Sequence, residues 1–148
     1  MKCTVVYCSR RGHTRKVAEA IAEVCKVEAT SITESHSLED VDLLFVGMNI
    51  KDGKPDDLML HYLDQLPVKK IRAAVVFSTC SSNEDHMALA VSLLKHKGIT
   101  VCKEHFVCEG SHWLKAYGHP NVDDLNQAKE FAHRVLNAFE QLVQGKGH

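Results

Sequence analysis

The first residues of the chain change from apolar to polar within a few positions: Val5-Val6-Tyr7-Cys8 is followed directly by Ser9-Arg10-Arg11-Gly12-His13-Thr14. The apolar part has the β-branched and aromatic side chains of a strand, and residues 9–13 interrupt it with polar residues and a glycine. From Thr14 onward, Val17, Ile21 and Val24 recur at helical spacing, so one helix face packs inward. The pattern predicts a strand, a loop and a helix.

The rest of the chain repeats this alternation. Further strands are predicted at 27–32, 42–47, 71–77 and 99–107, and helices at 56–66 and 83–97, the second ended by Gly98. Apolar residues that step by three and four from Leu125 to Leu142 predict a long C-terminal helix. The elements together predict a three-layer α/β fold with a five-stranded parallel sheet and right-handed crossovers.

Composition favours one soluble domain over residues 1–148, with 145–148 as a frayed tail. A chain of 148 residues with 45% hydrophobic residues can bury one core. No apolar run approaches the roughly 20 residues that cross a bilayer, and no signal-peptide pattern opens the sequence, so we expect a cytoplasmic protein without membrane contact. The net charge of -1 argues against strong nonspecific nucleic-acid binding, and no nucleic-acid partner is expected.

Cysteine and histidine spacing gives no metal signature. The six cysteines lie at positions 3, 8, 25, 80, 102 and 108, without a C-x-x-C pair, and the ten histidines are spread over the predicted elements. We therefore predict no metal site, and we interpret the cysteines as buried thiols.

Residues 9–14 have the composition of a phosphate-binding loop. They offer hydroxyls at both ends, a glycine that permits close backbone approach, and amides at a helix start, where the positive helix end favours an anion. Five positive residues precede the first acidic one, Glu19; they are Lys2, Arg10, Arg11, Arg15 and Lys16. The same residues also fit an ordinary helix start capped by Ser9 or Thr14, and local spacing leaves both interpretations open.

The segment from Val5 to Ile21 resembles the flavodoxin signature, in which an apolar strand precedes S/T-x-x-G-x-T and an alanine-bearing helix. Residues 42–47 resemble the third strand of that family and residues 73–79 its fourth, so the resemblance covers essentially the whole chain. It implies a short, single-domain flavodoxin-like protein with strand order 2-1-3-4-5.

The resemblance also implies a cofactor, FMN, and a role for each matching position. The residues that would hold the phosphate are Ser9, Arg10, Arg11, Gly12, His13 and Thr14. Those that would flank the isoalloxazine on one side are Met48, Asn49, Ile50 and Gly53, and those along its other edge are Thr79, Cys80, Ser81 and Ser82. No residue would be catalytic, because the protein tunes the flavin and the flavin carries the chemistry.

The implied function is one-electron transfer between a reductase and an acceptor enzyme, by a monomer or weak dimer. Members of the family commonly stack aromatic side chains on the flavin, and this sequence lacks them. Asn49 stands at one position where an aromatic is common, and residues 78–83 contain no aromatic residue. Weak flavin binding is then expected. Arg10 and Arg11 favour a less reducing flavin than in acidic flavodoxins. Trp113 and Tyr117 lie in a loop after the fifth strand, as anchors of that loop or as a cover for flavin or partner.

Two alternatives stay open beside the carrier. One is a flavodoxin-fold oxidoreductase acting on a quinone or porphyrinogen-type substrate, and the other is an FMN-free binding module of the same fold.

Three further classes fit poorly. A low-molecular-weight phosphatase needs C-x5-R, and Thr14 stands where that arginine would follow Cys8. A receiver domain needs acids where Arg10 and Arg11 stand, and a dinucleotide-binding loop needs G-x-G-x-x-G.

Overall fold

Strands and helices alternate along the chain in the computed structural model, which describes residues 1–9, 11–34, 37–51, 54–80, 87–109 and 121–145. The elements are β1 (Cys3–Tyr7), α1 (His13–Cys25), β2 (Ala29–Ser31), β3 (Val41–Lys51), β4 (Lys54–Pro55), α2 (Asp57–Asp64), β5 (Ile71–Cys80), α3 (Ala88–His96), β6 (Thr100–Val101), β7 (Phe106–Glu109) and α4 (Val122–Gly145). Val68–Lys70 forms a 3₁₀ turn before β5.

The sheet has the predicted parallel order. β2, β1, β3 and β5 lie side by side, and β6 and β7 both pair with the outer side of β5, so that together they take the place of the fifth strand. The α/β class and the order 2-1-3-4-5 are confirmed. The structure adds β4, which pairs antiparallel with the end of β3.

Several element boundaries differ from the sequence prediction. The strand predicted at 99–107 is two short pieces, because the chain after the bond from the Cys102 amide to the Ala74 carbonyl leaves β5 and pairs with it again only at Phe106. The strands predicted at 42–47 and 71–77 run on to Lys51 and Cys80, since their parallel pairing continues to Ile50 opposite Cys80. Asn49 and Ile50 therefore lie in a strand and not in a loop.

Two other predicted elements are shorter in the structure. The second strand covers only Ala29–Ser31, and the helix predicted at 56–66 begins after Asp56, whose Oδ1 accepts a 2.9 Å hydrogen bond from the Leu58 amide. α3 is described from Ala88, and residues 83–86 of that prediction lie outside the described part of the chain.

Each face of the sheet carries its own hydrophobic core. Side chains alternate along a strand, so Val6, Leu44 and Val76 pack toward α2 and α3, while their neighbours on the other face pack toward α1 and α4. On that second face Phe131 of α4 meets Phe45 edge to face, with ring centroids 6.4 Å apart. Two covered faces explain why the central strands are almost uninterruptedly apolar. None of the helices in the described ranges is long and apolar enough to cross a membrane.

Candidate functional site

The β1–α1 loop, described at residues 8, 9, 11 and 12, lies at the carboxyl edge of the sheet. The amide of Cys8 donates to the carbonyl oxygen of Gly47 at 3.0 Å, so the loop starts against the neighbouring strand β3. Ligands of open α/β sheets bind at this edge, outside the carboxyl ends of the strands. The loop is therefore in the expected place for a ligand site.

Gly12 sets the shape of the loop. Its φ of 86° is in the left-handed region, which costs a residue with a side chain free energy but suits glycine. The Gly12 amide donates to Ser9 Oγ at 2.9 Å, and its carbonyl accepts from the Lys16 amide at 3.1 Å. A Cβ built on Gly12 would meet no atom within 4 Å, so the space beside this glycine is open.

The first turn of α1 faces that space without a capping side chain. Among the residues that the structure describes, no side chain accepts a hydrogen bond from its amides, and the turn itself contains no acidic residue. Arg11 and Lys16 are exposed and form no ion pair with another described residue, whereas Arg15 bonds to Glu19 at 2.7 Å. Amides and cations that have no partner among the described residues, together with a positive helix end, fit an anion.

His13, the first residue of α1, lies in the same positively charged surroundings. It is half-buried, and its pKa lies below the usual value because burial disfavours the charged imidazole. The neighbouring positive charges of Lys16 and Arg11 lower the pKa further. Burial and positive charge at this helix start therefore both disfavour a charged imidazole.

A buried hydroxyl pair joins α1 to β5. Thr14 Oγ1 and Thr79 Oγ1 are 2.7 Å apart, and both residues are 1% exposed. In this structure Thr14 contacts the end of β5, while its role as a phosphate ligand stays a prediction. The pair brings two predicted site residues from distant parts of the chain into direct contact.

Asn49 and Thr79 are neighbours across the parallel pair β3–β5. Met48 and Ile50, on either side of Asn49, pack in the core toward α2 and α3, so Asn49 faces the opposite side of the sheet, where α1 lies. Asn49 is half-buried, and its side-chain amide forms no hydrogen bond with another described residue. Asn49 therefore extends the polar end of the sheet beside Thr79.

The predicted residues do not all meet at this edge. Met48 is fully buried and Ile50 is 4% exposed, so neither side chain reaches a ligand without repacking. Arg10, Gly53, Ser81 and Ser82 lie outside the described residues, and only the backbone of Cys80 is described. Within the described ranges, no three His, Cys, Asp or Glu side chains are grouped as a metal site.

Gly47 is a structural feature of the site that sequence reasoning did not single out. A Cβ on Gly47 would lie 2.3 Å from Cε2 and Cζ of Phe77, its register partner on β5. The fully buried ring of Phe77 fills the position of the missing side chain. The sequence did offer a signal: Gly47 is a single glycine at the end of the apolar run 43–46, just before the part of the strand that contains Asn49 and Lys51.

The contact between Thr14 and Thr79 was missed in the same way. Both residues were predicted to face the cofactor, but no local pattern shows that two positions 65 residues apart face one another. The available signal was alternation: Thr79 lies two residues beyond Phe77 and therefore on the α1 side of the sheet.

A doubly wound sheet in the order β2-β1-β3-β5, with β6 and β7 in the place of the fifth strand, and an anion-compatible loop after β1 define the class of flavodoxin-like α/β proteins. A family model, the flavodoxin domain, matches residues 4–111. The chain belongs to this flavodoxin family. An uncharacterised protein of Methanocaldococcus jannaschii is 32% identical over 151 residues, which cover 92% of this chain and 99% of that protein.

Solved structures share the fold at low sequence identity. A flavodoxin from the domain Archaea superimposes with a TM-score of 0.74 at 21% identity, covering 95% of this chain and 99% of that one. Flavodoxin 2 of Bacillus cereus gives 0.64 at 18% identity, with coverage of 95% and 99%. Rubredoxin oxygen:oxidoreductase of Desulfovibrio gigas gives 0.75 at 16% identity, and there 95% of this chain matches 36% of the other.

Proposed function

We propose that this protein binds FMN noncovalently at the carboxyl edge of the sheet and carries electrons one at a time between a reductase and an acceptor enzyme. One observation carries the proposal: the left-handed Gly12 opens the β1–α1 loop in front of a helix start that has no acidic residue and no capping side chain among the described residues. The flavodoxin family membership makes FMN the flavin to test first.

The phosphate group of FMN fits the β1–α1 loop by charge and by hydrogen-bonding capacity. Ser9 Oγ, now an acceptor from the Gly12 amide, still has its own proton to donate to a phosphate oxygen. The first-turn amides of α1 supply further donors, and Arg11 and Lys16 supply positive charge. Thr14 is held by Thr79, so the first turn is fixed to the sheet before the ligand arrives.

The ring of FMN, when bound, supplies the electron chemistry, and the chain supplies position and charge. Backbone groups at the ends of β3 and β5, together with the Asn49 amide, are the described polar groups on the α1 side of this edge. The described positive charges stabilise the more negative, reduced flavin. We expect Lys16→Gln to lower the reduction potential of bound FMN, as measured by equilibrium titration with a reference dye.

The first experiment is an FMN titration followed by quenching of flavin fluorescence. We expect saturable binding at micromolar FMN, and a loss of about tenfold or more in affinity for Ser9→Ala, since a hydrogen bond to a charged group contributes about 1.5–3 kcal/mol. Ser92→Ala, an exposed position on α3, serves as the control and should bind like the wild type. Absence of FMN and FAD binding at micromolar concentration would contradict the proposal.

A glycine pair provides a stricter control. Gly12 and Gly98 both have positive φ, 86° and 94°, and at neither residue does any atom lie closer than 3.9 Å to the place that a Cβ would take. Gly12→Ala and Gly98→Ala should therefore lower stability by similar amounts, about 1 kcal/mol. Only Gly12→Ala places a methyl group in the proposed phosphate space, so only it should weaken FMN binding.

A turnover assay distinguishes the carrier from the enzyme alternative. The FMN-loaded protein is mixed with a porphyrinogen substrate and a quinone acceptor, and product is followed by porphyrin fluorescence. The carrier proposal predicts no turnover above the rate of free FMN at the same concentration. Saturable turnover would assign the oxidoreductase function instead.

A further inference from the structure

A cavity lies at the opposite edge of the sheet from the β1–α1 loop, where β3 and β5 begin side by side. It has a volume of about 270 Å³. Its walls come from three segments: Leu38 and Glu39 before β3, Tyr62 and Leu66 near the end of α2, and Lys70 before β5. We call it the amino-edge pocket.

The floor of the amino-edge pocket is apolar. Leu38 and Leu66 are buried members of the core between the sheet and α2, and Tyr62 packs against the same core. These side chains line the cavity as well. An apolar group in the cavity would therefore extend an existing hydrophobic core and lose contact with water.

Opposite charges stand side by side at the mouth of the pocket. Lys70 Nζ bonds to Glu39 Oε1, and both side chains are about half exposed. Lys2 Nζ donates to the carbonyl oxygen of Glu39 and holds that segment in place. An ammonium has three protons and a carboxylate two oxygens, so Lys70 and Glu39 each keep hydrogen-bonding capacity for a ligand after they pair.

The Tyr62 hydroxyl gives the pocket a further donor. Tyr62 is half-buried, and its hydroxyl forms no hydrogen bond with another described residue. Burial raises the pKa of Tyr62, so the hydroxyl stays protonated. The carboxyl end of α2, at Gln65, adds partial negative charge beside the pocket. Groups that suit a ligand anion and groups that suit a ligand cation are thus both present.

We propose that the amino-edge pocket binds a free α-amino acid with an apolar side chain. The side chain of the ligand lies on the apolar floor, its carboxylate accepts from Lys70, and its ammonium donates to Glu39. A zwitterion matches this ion pair because it places a charge of opposite sign beside each member. The cavity volume is just below the range of about 300–1,000 Å³ found for larger ligands, which suits a molecule of amino-acid size.

The amino-edge pocket is separate from the proposed FMN site. β3 runs from Val41 at the pocket to Asn49 at the opposite edge, a distance of roughly 26 Å for an extended strand. The affinity for an amino acid should therefore be the same with and without FMN. A protein that fails to bind FMN can still bind the amino acid, so the two proposals fail independently.

The direct test is an NMR titration of the wild-type protein, labelled with ¹⁵N, with L-phenylalanine. We expect saturable shifts of amides at the amino-edge pocket, with a dissociation constant of about 1 mM or below. Three related probes each lack one part: phenylacetate lacks the ammonium, phenethylamine lacks the carboxylate, and glycine lacks the apolar side chain. Each should bind more weakly by about fivefold or more. No saturation by L-phenylalanine at millimolar concentration would overturn the proposal, and so would equal affinity for phenylacetate.

Two lysine variants form a matched pair. Lys70→Met keeps the apolar stem and removes the ammonium, so the affinity for L-phenylalanine should fall by about fivefold or more. The loss should be smaller for phenethylamine, which has no carboxylate to bind. Lys69→Met is the control, because Lys69 is exposed in the same 3₁₀ turn but is not among the residues that line the pocket. Equal affinity for L-phenylalanine in Lys70→Met and Lys69→Met would contradict the proposal.

Discussion

The hydroxyl pair between Thr14 and Thr79 should be energetically coupled, and a double-mutant cycle measures that coupling. The two oxygens are 2.7 Å apart and neither residue is more than 1% exposed, so a hydroxyl that loses its partner cannot turn to water. Thr14→Val or Thr79→Val alone leaves one buried hydroxyl unsatisfied. We expect each single variant to lose about 1–3 kcal/mol of unfolding free energy.

The double variant should lose much less than the sum of the two single losses. Replacing both hydroxyls by methyl groups of similar shape removes the polar pair together with its desolvation cost, which is nearly neutral in favourable cases. The expected coupling is about 1–2 kcal/mol, which is within the range found for residues in direct contact. It is also a measurable share of the roughly 5–15 kcal/mol that holds a domain of ordinary stability.

Urea unfolding followed by circular dichroism gives the four free energies. Thr14→Ser and Thr79→Ser are the controls, because they keep the hydroxyl and should preserve most of the coupling. Additive losses in the valine variants, within about 0.5 kcal/mol, would refute the argument that the pair is bonded and shielded from water.

Three further predictions concern the frame of the site. Gly47→Ala should cost about 1–3 kcal/mol or more in urea unfolding, since its Cβ would overlap the buried ring of Phe77, and Phe77→Leu should recover part of that loss; an unchanged midpoint would contradict the packing. Lys26→Gly should stabilise the protein by about 0.5–1 kcal/mol, because Lys26 ends α1 at φ 60°, and any loss of stability would argue against strain there. Burial lowers the pKa of His13 in the folded protein below its value in the unfolded chain, so the unfolded chain takes up a proton first. The free energy of unfolding should therefore be constant above the usual histidine pKa and should fall as the pH drops below that value. Histidine NMR titration should show this pKa below the usual value and rising on phosphate or FMN binding; a value at or above the usual one without ligand would contradict it.

The fold was predictable because its signals are local. The switch from a β-branched run to helical spacing at Thr14, and the apolar run before Gly47, follow from how strands and helices bury side chains. The outer limits of β3 and β5 were not predictable in the same way. Ser78 and Thr79 look like loop residues in sequence, but parallel strands on both sides satisfy their backbone groups, and the strand continues.

The site was predictable in its first loop and less so elsewhere. Ser9 and Gly12 are neighbours in sequence, and their bond follows from local geometry. The contacts that join distant segments depend on how the strands and helices are arranged in three dimensions. For this reason the pairing of Thr14 with Thr79 could be found only in the structure.

A comparison of FMN with riboflavin tests the central claim most directly. The two ligands share the ring system and differ in the phosphate, which is the group assigned to the β1–α1 loop. We predict that FMN binds at least about tenfold more tightly than riboflavin, and that Ser9→Ala and Gly12→Ala reduce this preference. Equal affinities for FMN and riboflavin, unchanged in the two variants, would contradict the assignment of the loop as the phosphate site.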